Sequence, residues 1–256
     1  MTTAHISTWL GVLEASCAQV STTFLDIIVD QAGSEAPLLP SVLSIEPPIP
    51  WYSLFTGLPE EGADDLAPLL LRIDLAQPLQ RQWLIGLMHD LNGRSQLLVL
   101  ASLWPFQVLA EYLGRCLEVR NGGYLGLLRY YDPRVFPLLF SHVMESDQQQ
   151  VLLHPVIFWS WLDRDNAPKR LMGLAAMPEG GHSSIPIELS DSQVETLSCA
   201  SDATVAMVSL SEALPFGWGA ERRFQHCYTS MIQATRAGLL VASQREAYTL
   251  EAVREV

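Results

Sequence analysis

The chain has 256 residues, about half of them apolar and 17% charged, with a formal net charge of −13. That length buries a substantial core, and that composition excludes a disordered chain. Nine acidic residues (Glu14, Asp26, Asp30, Glu35, Glu46, Glu60, Glu61, Asp64 and Asp65) precede the first basic one, Arg72. Such a surface repels phosphate backbones, which argues against a nucleic-acid partner, and attracts a basic protein segment.

Lys169 is the only lysine beside fourteen arginines; arginine suits paired and interface positions. Cys17, Cys116, Cys199 and Cys227 are too scattered for a zinc knuckle or redox pair and read as small buried apolar residues in a reducing compartment. The N-terminus has no basic region followed by an apolar run, and the longest apolar stretches, 97–106 and 151–162, are too short to span a bilayer. A cytoplasmic protein without a membrane partner is expected.

In chain order, Trp9, Val12, Leu13, Cys17 and Val20 fall at helical spacing over 5–20. The β-branched run 22–29 predicts a buried strand. Residues 37–43 suit one or two helical turns, 45–50 an extended proline-rich connector and 51–55 a short strand. An acidic loop over 59–65 and a strand over 69–73 follow. Pro78 opens a helix with Leu79, Trp83, Leu84, Leu87, Met88 and Leu91 on one stripe, stopped at Asn92-Gly93. The run 96–103, apolar on both faces, predicts a central strand. Pro105 opens a second helix, and Asn121-Gly122-Gly123 predicts a hairpin between 117–119 and 124–129. Asp132-Pro133 reads as the cap and first turn of a helix whose Val135, Leu138, Leu139 and Val143 face inward. A polar loop separates His142 from His154. A strand over 156–161 and a second extended stretch over 170–177 complete this part.

Residues 179–184 have the composition of a linker. Beyond them Ser190 and Gln193 form a capping box. The stretch 204–214 suits helix or strand. Helices are expected over 220–240, with Phe224, Tyr228, Met231, Thr235 and Leu239 in register, and over 245–256. The expectation is an α/β (α+β) fold of two lobes: 1–178, a mixed β-sheet flanked by helices, and 179–256, smaller and mostly helical.

No catalytic template fits. The sequence has no Gly-x-Ser-x-Gly elbow, no His-Glu-x-x-His segment, no paired-cysteine metal site and no phosphate loop. His182 beside Ser183 and Ser184 lies in a polar linker. Neither a cofactor nor a metal is expected, and the chain reads as non-enzymatic. One dense segment remains, Leu128-Arg129-Tyr130-Tyr131-Asp132-Pro133-Arg134-Val135-Phe136. Its arginines and acids could fix a strand–helix corner, or its arginines and tyrosines could form an interface hot spot. Arg129, Tyr130, Tyr131, Asp132 and Arg134, with Phe224 and Tyr228 of the helical lobe, are the candidate partner-binding residues.

The arginine-aromatic-Tyr-Asp-Pro-Arg-Val run resembles the type VI secretion effector-adaptor chaperones (Tap/Tec-type adaptors), a family first catalogued as a domain of unknown function. Residues 24–30 with Asp30-Gln31-Ala32, Leu54-Phe55-Thr56-Gly57, Leu66-Ala67-Pro68-Leu69-Leu70 and 109–117 are similar to further segments of that family, over about residues 20–160. Gln31 stands where the family usually has glycine, and Leu153-His154-Pro155 where it commonly has Phe-Gly-Pro. The resemblance implies a two-lobed scaffold that holds a secreted effector, a toxin, and helps load it onto the valine-glycine-repeat spike protein. Two other readings stay open: a hydrolase with a triad dispersed over loops, and a delivery module detached from a secreted effector.

Overall fold

A computed structural model describes residues 4–34, 36–178 and 186–254. The expected linker 179–184, with His182, Ser183 and Ser184, lies outside the described residues. The chain divides into two compact units. The larger holds the residues up to Phe140 and Met144–Leu189, and the smaller holds Ser141–Val143 and the residues from Ser190 onward.

The larger unit is built on a six-stranded sheet of β1 (Phe24–Val29), β2 (Trp51–Ser53), β3 (Leu69–Asp74), β4 (Leu97–Ala101), β7 (Phe158–Leu162) and β8 (Pro168–Met172). Their order is β2-β3-β1-β4-β7-β8. The class is α+β as expected, and every pairing in this sheet is antiparallel. Leu25, Ile27 and Val29 of β1, Leu69, Leu71 and Ile73 of β3, and Leu97, Val99 and Ala101 of β4 share one buried cluster. Helices α1 (Ala4–Gln19) and α3 (Pro78–Asp90) cover it with Ile6, Trp9, Leu10, Leu13, Leu84 and Met88. The alternate residues face the other side, as the period-two geometry of strands requires. Both faces are buried, so β4 reads as a continuous apolar run and β1 as one broken only by Asp26.

Of the stripe expected on α1, Trp9, Leu13 and Cys17 are buried, whereas Val12 is exposed and Ile6 and Leu10 join the buried face. On α3, Leu79 is exposed. Helix α2 (Leu39–Leu43) precedes β2, and α4 (Phe106–Arg115) buries Leu109 and Leu113. The hairpin forms as expected from β5 (Glu118–Asn121) and β6 (Tyr124–Leu127). It gains a parallel third strand, β9 (Ile187–Glu188).

Two expectations are corrected between 132 and 153. The regular helix does not begin at Asp132-Pro133, although the Asp132 carbonyl accepts from Phe136 N–H at 2.8 Å as a cap's would. The Asp132 Oδ1 accepts from the Arg134 backbone N–H at 2.9 Å and is shared with that residue's guanidinium, so it makes a local turn. The helix starts later, as the short α5 (Phe136–Leu138), and opens into a π-helix over Leu139–Val143. The stretch read as a polar loop contains α6 (Ser146–Leu153), initiated by a capping box of Glu145 and Gln148.

Gly173, just past β8, crosses the chain at Val156: a Cβ there would lie 2.1 Å from the Val156 carbonyl oxygen. Gly173→Ala therefore forces this crossing apart, and thermal unfolding should show a loss of about 1–3 kcal/mol.

In the smaller unit, Ser190 and Gln193 form the expected capping box on α7 (Asp191–Ser209), which absorbs the first part of the ambiguous stretch 204–214. Helix α8 (Ala220–Arg236) buries Phe224, Tyr228 and Met231. It stops short of Leu240 because Gly238 adopts φ 76° and Leu239 N–H bonds the Ala234 carbonyl at 2.9 Å. Arg245 of α9 (Ala242–Arg254) pairs with Asp202 of α7.

Candidate partner-binding surface

The sheet ends at a corner where two carboxylates each hold an arginine. β1 runs out at Asp30, whose backbone N–H bonds the Gln96 carbonyl at 2.9 Å. Its Oδ1 accepts from Ala32 N–H at 3.0 Å, and its Oδ2 accepts from Arg129 Nη2 at 2.7 Å. Beyond β6, Asp132 binds Arg134 through two contacts, Nε to Oδ1 at 3.0 Å and Nη2 to Oδ2 at 2.7 Å. The two acid side chains are 4% and 6% exposed, whereas those of Arg129 and Arg134 are 46% and 54% exposed. Each arginine is thus fixed at its inner edge and open at its outer one. A planar guanidinium loses little freedom when a partner carboxylate meets it.

The tyrosines between them have a different place. Tyr130 is fully buried and its hydroxyl donates to the Leu113 carbonyl at 2.9 Å. Burial pushes its phenol well above the usual range. Its ring meets Trp159 at 6.2 Å. Tyr131 is also buried, with the Arg129 guanidinium 5.6 Å from its ring centre. Expected as contacts, both are instead the footing on which the corner rests. The same correction applies to Phe224 and Tyr228. Both are fully buried and stacked at 5.7 Å, with the Tyr228 hydroxyl donating to the Thr196 carbonyl.

Two polar features escaped sequence reasoning. Asp26 of β1 lies directly opposite Arg72 of β3 and pairs with it through two contacts, 2.7 and 2.8 Å long, although Asp26 is fully buried. Gln31, also buried, donates to the Asp64 and Ala67 carbonyls at 3.1 and 2.9 Å and accepts from Leu38 N–H at 3.0 Å. Its φ is not positive, and the left-handed residue of the turn is Gly33 at φ 81°. Glutamine therefore fits without strain and clasps two loops. An isolated polar residue in or beside an apolar strand was the available signal.

His142 packs against Tyr228 at 5.1 Å and His154 against Trp104 at 5.8 Å. All four cysteines are free and buried, and burial raises Cys17 and Cys227 to about 11 and Cys116 to about 12. Among the described residues no group of three or more His, Cys, Asp or Glu could hold a metal, and no helix is long and apolar enough to cross a membrane.

Residues 27–150 match the family described as Domain of unknown function (DUF4123). The DUF4123 match runs from the second half of β1 through β6 and takes in both carboxylate–arginine pairs of the corner and the Gln31 clasp. No curated protein and no solved structure matches the chain.

Proposed function

We propose that this chain is a cytoplasmic, non-enzymatic adaptor chaperone. In this reading it binds a type VI secretion effector, a toxin, and helps load it onto the valine-glycine-repeat spike protein. The observation that carries the reading is the corner inside the DUF4123 segment: two half-exposed arginines held on the buried carboxylates Asp30 and Asp132. Arginine anchored on a rigid base is a favoured hot-spot residue at protein interfaces. The Arg129–Val135 run is also where the resemblance to effector adaptors is strongest. Co-expression with the toxin and spike proteins encoded nearby, followed by pull-down at physiological salt, tests the proposal. If neither protein co-purifies, the adaptor reading fails.

Point variants separate contact from scaffold. Arg134→Ala removes a half-exposed pair, so stability should fall by less than about 1 kcal/mol while partner binding weakens about tenfold or more. Asp132→Ala also removes an acceptor used within the turn and should cost about 1–3 kcal/mol by thermal unfolding. If Arg134→Ala leaves binding unchanged and Asp132→Ala loses stability and binding in parallel, the corner is architectural only.

A further inference from the structure

We propose that the open edge of β2 and the groove beside it dock an extended segment of a partner protein that alternates apolar side chains with lysine or arginine. The inference stands on the larger unit alone and does not depend on whether the partner is an effector or a spike protein.

β2 is an edge strand of the six-stranded sheet and, among the described residues, pairs only with β3. Arg72 N–H bonds the Pro50 carbonyl at 2.9 Å and Leu54 N–H bonds the Pro68 carbonyl at 3.0 Å. The even-numbered residues therefore turn their backbone groups toward β3. The alternation of antiparallel pairing turns Trp51 and Ser53 the other way, where no strand among the described residues covers them. The Ser53 carbonyl already accepts from Thr56 N–H at 3.1 Å, so the open groups are those of Trp51 and the Ser53 N–H. Against this edge lies a groove of about 560 Å³, with Leu39, Leu43, Trp51 and Leu69 among its walls and Asp64 and Asp65 on its rim. Leu43 is 63% and Trp51 38% exposed. The groove is preformed: the three hydrogen bonds of buried Gln31 tie the 64–67 loop to residue 38 across its base.

Charge selects the occupant. The groove lining contains no lysine or arginine, and none occurs anywhere before Arg72. The first basic residues of the larger unit, Arg72 and Arg81, are bound to Asp26 and Glu14 and do not line the groove. A second groove of about 720 Å³ on the other flank of α2 carries Glu46 and Asp90 and again no basic side chain. A second copy of this chain, with a net charge of −13, would bring like charges to the edge. A helix would leave the outward backbone groups of Trp51 unanswered. An extended segment answers them by strand addition and places alternate side chains in the groove and over its acidic rim.

The test is an array of labelled nine-residue peptides with apolar residues at alternate positions and lysine, glutamate or serine between them, titrated against the full chain by fluorescence polarisation. Lysine peptides should bind, and glutamate peptides should not. Asp64→Asn with Asp65→Asn should weaken the lysine peptides about fivefold, the sum of two exposed ion pairs. These substitutions leave the Asp64 carbonyl that Gln31 uses in place. Methylating alternate backbone amides of the best peptide should abolish binding. The proposal is overturned if no peptide binds, if charge makes no difference, if the double variant binds as before, or if the methylated peptide binds equally well.

Discussion

Replacing Arg72 with methionine should destabilise the protein by about 3–5 kcal/mol at neutral pH, read by urea unfolding. Methionine keeps an apolar stem of similar length but loses the guanidinium, which lies 5.8 and 5.6 Å from the Phe24 and Phe106 ring centres. It removes both contacts to Asp26 and the Nη1 bond to the Trp104 carbonyl at 3.0 Å. A fully buried carboxylate is then left without its counter-charge. Burial already pushes the Asp26 carboxyl up, and Arg72 opposes that shift. Without Arg72 the rise is larger. An acid raised on folding binds its proton more tightly in the folded state than in the unfolded one. The penalty is therefore complete above the raised value and shrinks as pH falls toward the unfolded carboxylate value of about 3.9. The deficit of Arg72→Met against the natural chain should narrow on acidification, and a widening deficit would contradict this account. Combining it with Asp26→Leu should recover most of the stability, because two apolar residues replace the pair.

Trp159→Ala should cost about 3–5 kcal/mol. Trp159 is fully buried on β7, with Phe136 at 5.0 Å and Tyr130 at 6.2 Å, and its Nε1 donates to the Leu152 carbonyl at 2.9 Å. Phe136 in turn meets Phe140 and Trp161 at 5.0 and 5.3 Å. The indole thus joins β7, α6 and the segment that carries Arg129 and Arg134. Trp159→Phe retains a ring and loses chiefly the hydrogen bond, so about 1–2 kcal/mol is expected. Denaturant midpoints of the two variants compare these effects. An alanine variant within about 1 kcal/mol of the natural chain would show that the ring cluster does not support the corner.

The contrast between these two sites shows what the sequence could reveal. β1, β3 and β4 were legible because both their faces are buried. Helix α3 announced itself by Pro78, and α7 by Ser190 and Gln193. Asp26 was counted among surface acids, because its partner lies 46 residues away and only strand register brings the two together. Helix α6 was hidden by its polar sequence, of which Leu152 is the buried residue. At the corner, Asp132-Pro133 has the residues of a helix start, yet the carboxylate holds both the backbone N–H and the guanidinium of Arg134, and the regular helix begins only at Phe136. The tyrosines beside it looked like contact residues because their chemistry suits an interface and a core equally well. Pairing of the arginines with acids was one of two readings open in the sequence, and both pairs form. Which acid each one takes depended on how the end of β1 meets the end of the hairpin.

The three residues Ser141–Val143 belong to the smaller unit although the flanking chain belongs to the larger. Val143 supplies a carbonyl to Gln193 of α7 at 2.7 Å, and His142 packs on Tyr228 of α8. The helical unit is therefore not a cassette that recombination can exchange at Ser190. A grafted C-terminus would meet a tripeptide shaped for its predecessor, so inheritance must keep the two stretches matched. Chimeras that exchange residues 190–256 alone should be less stable than those that also carry 141–143, a difference that melting curves would measure.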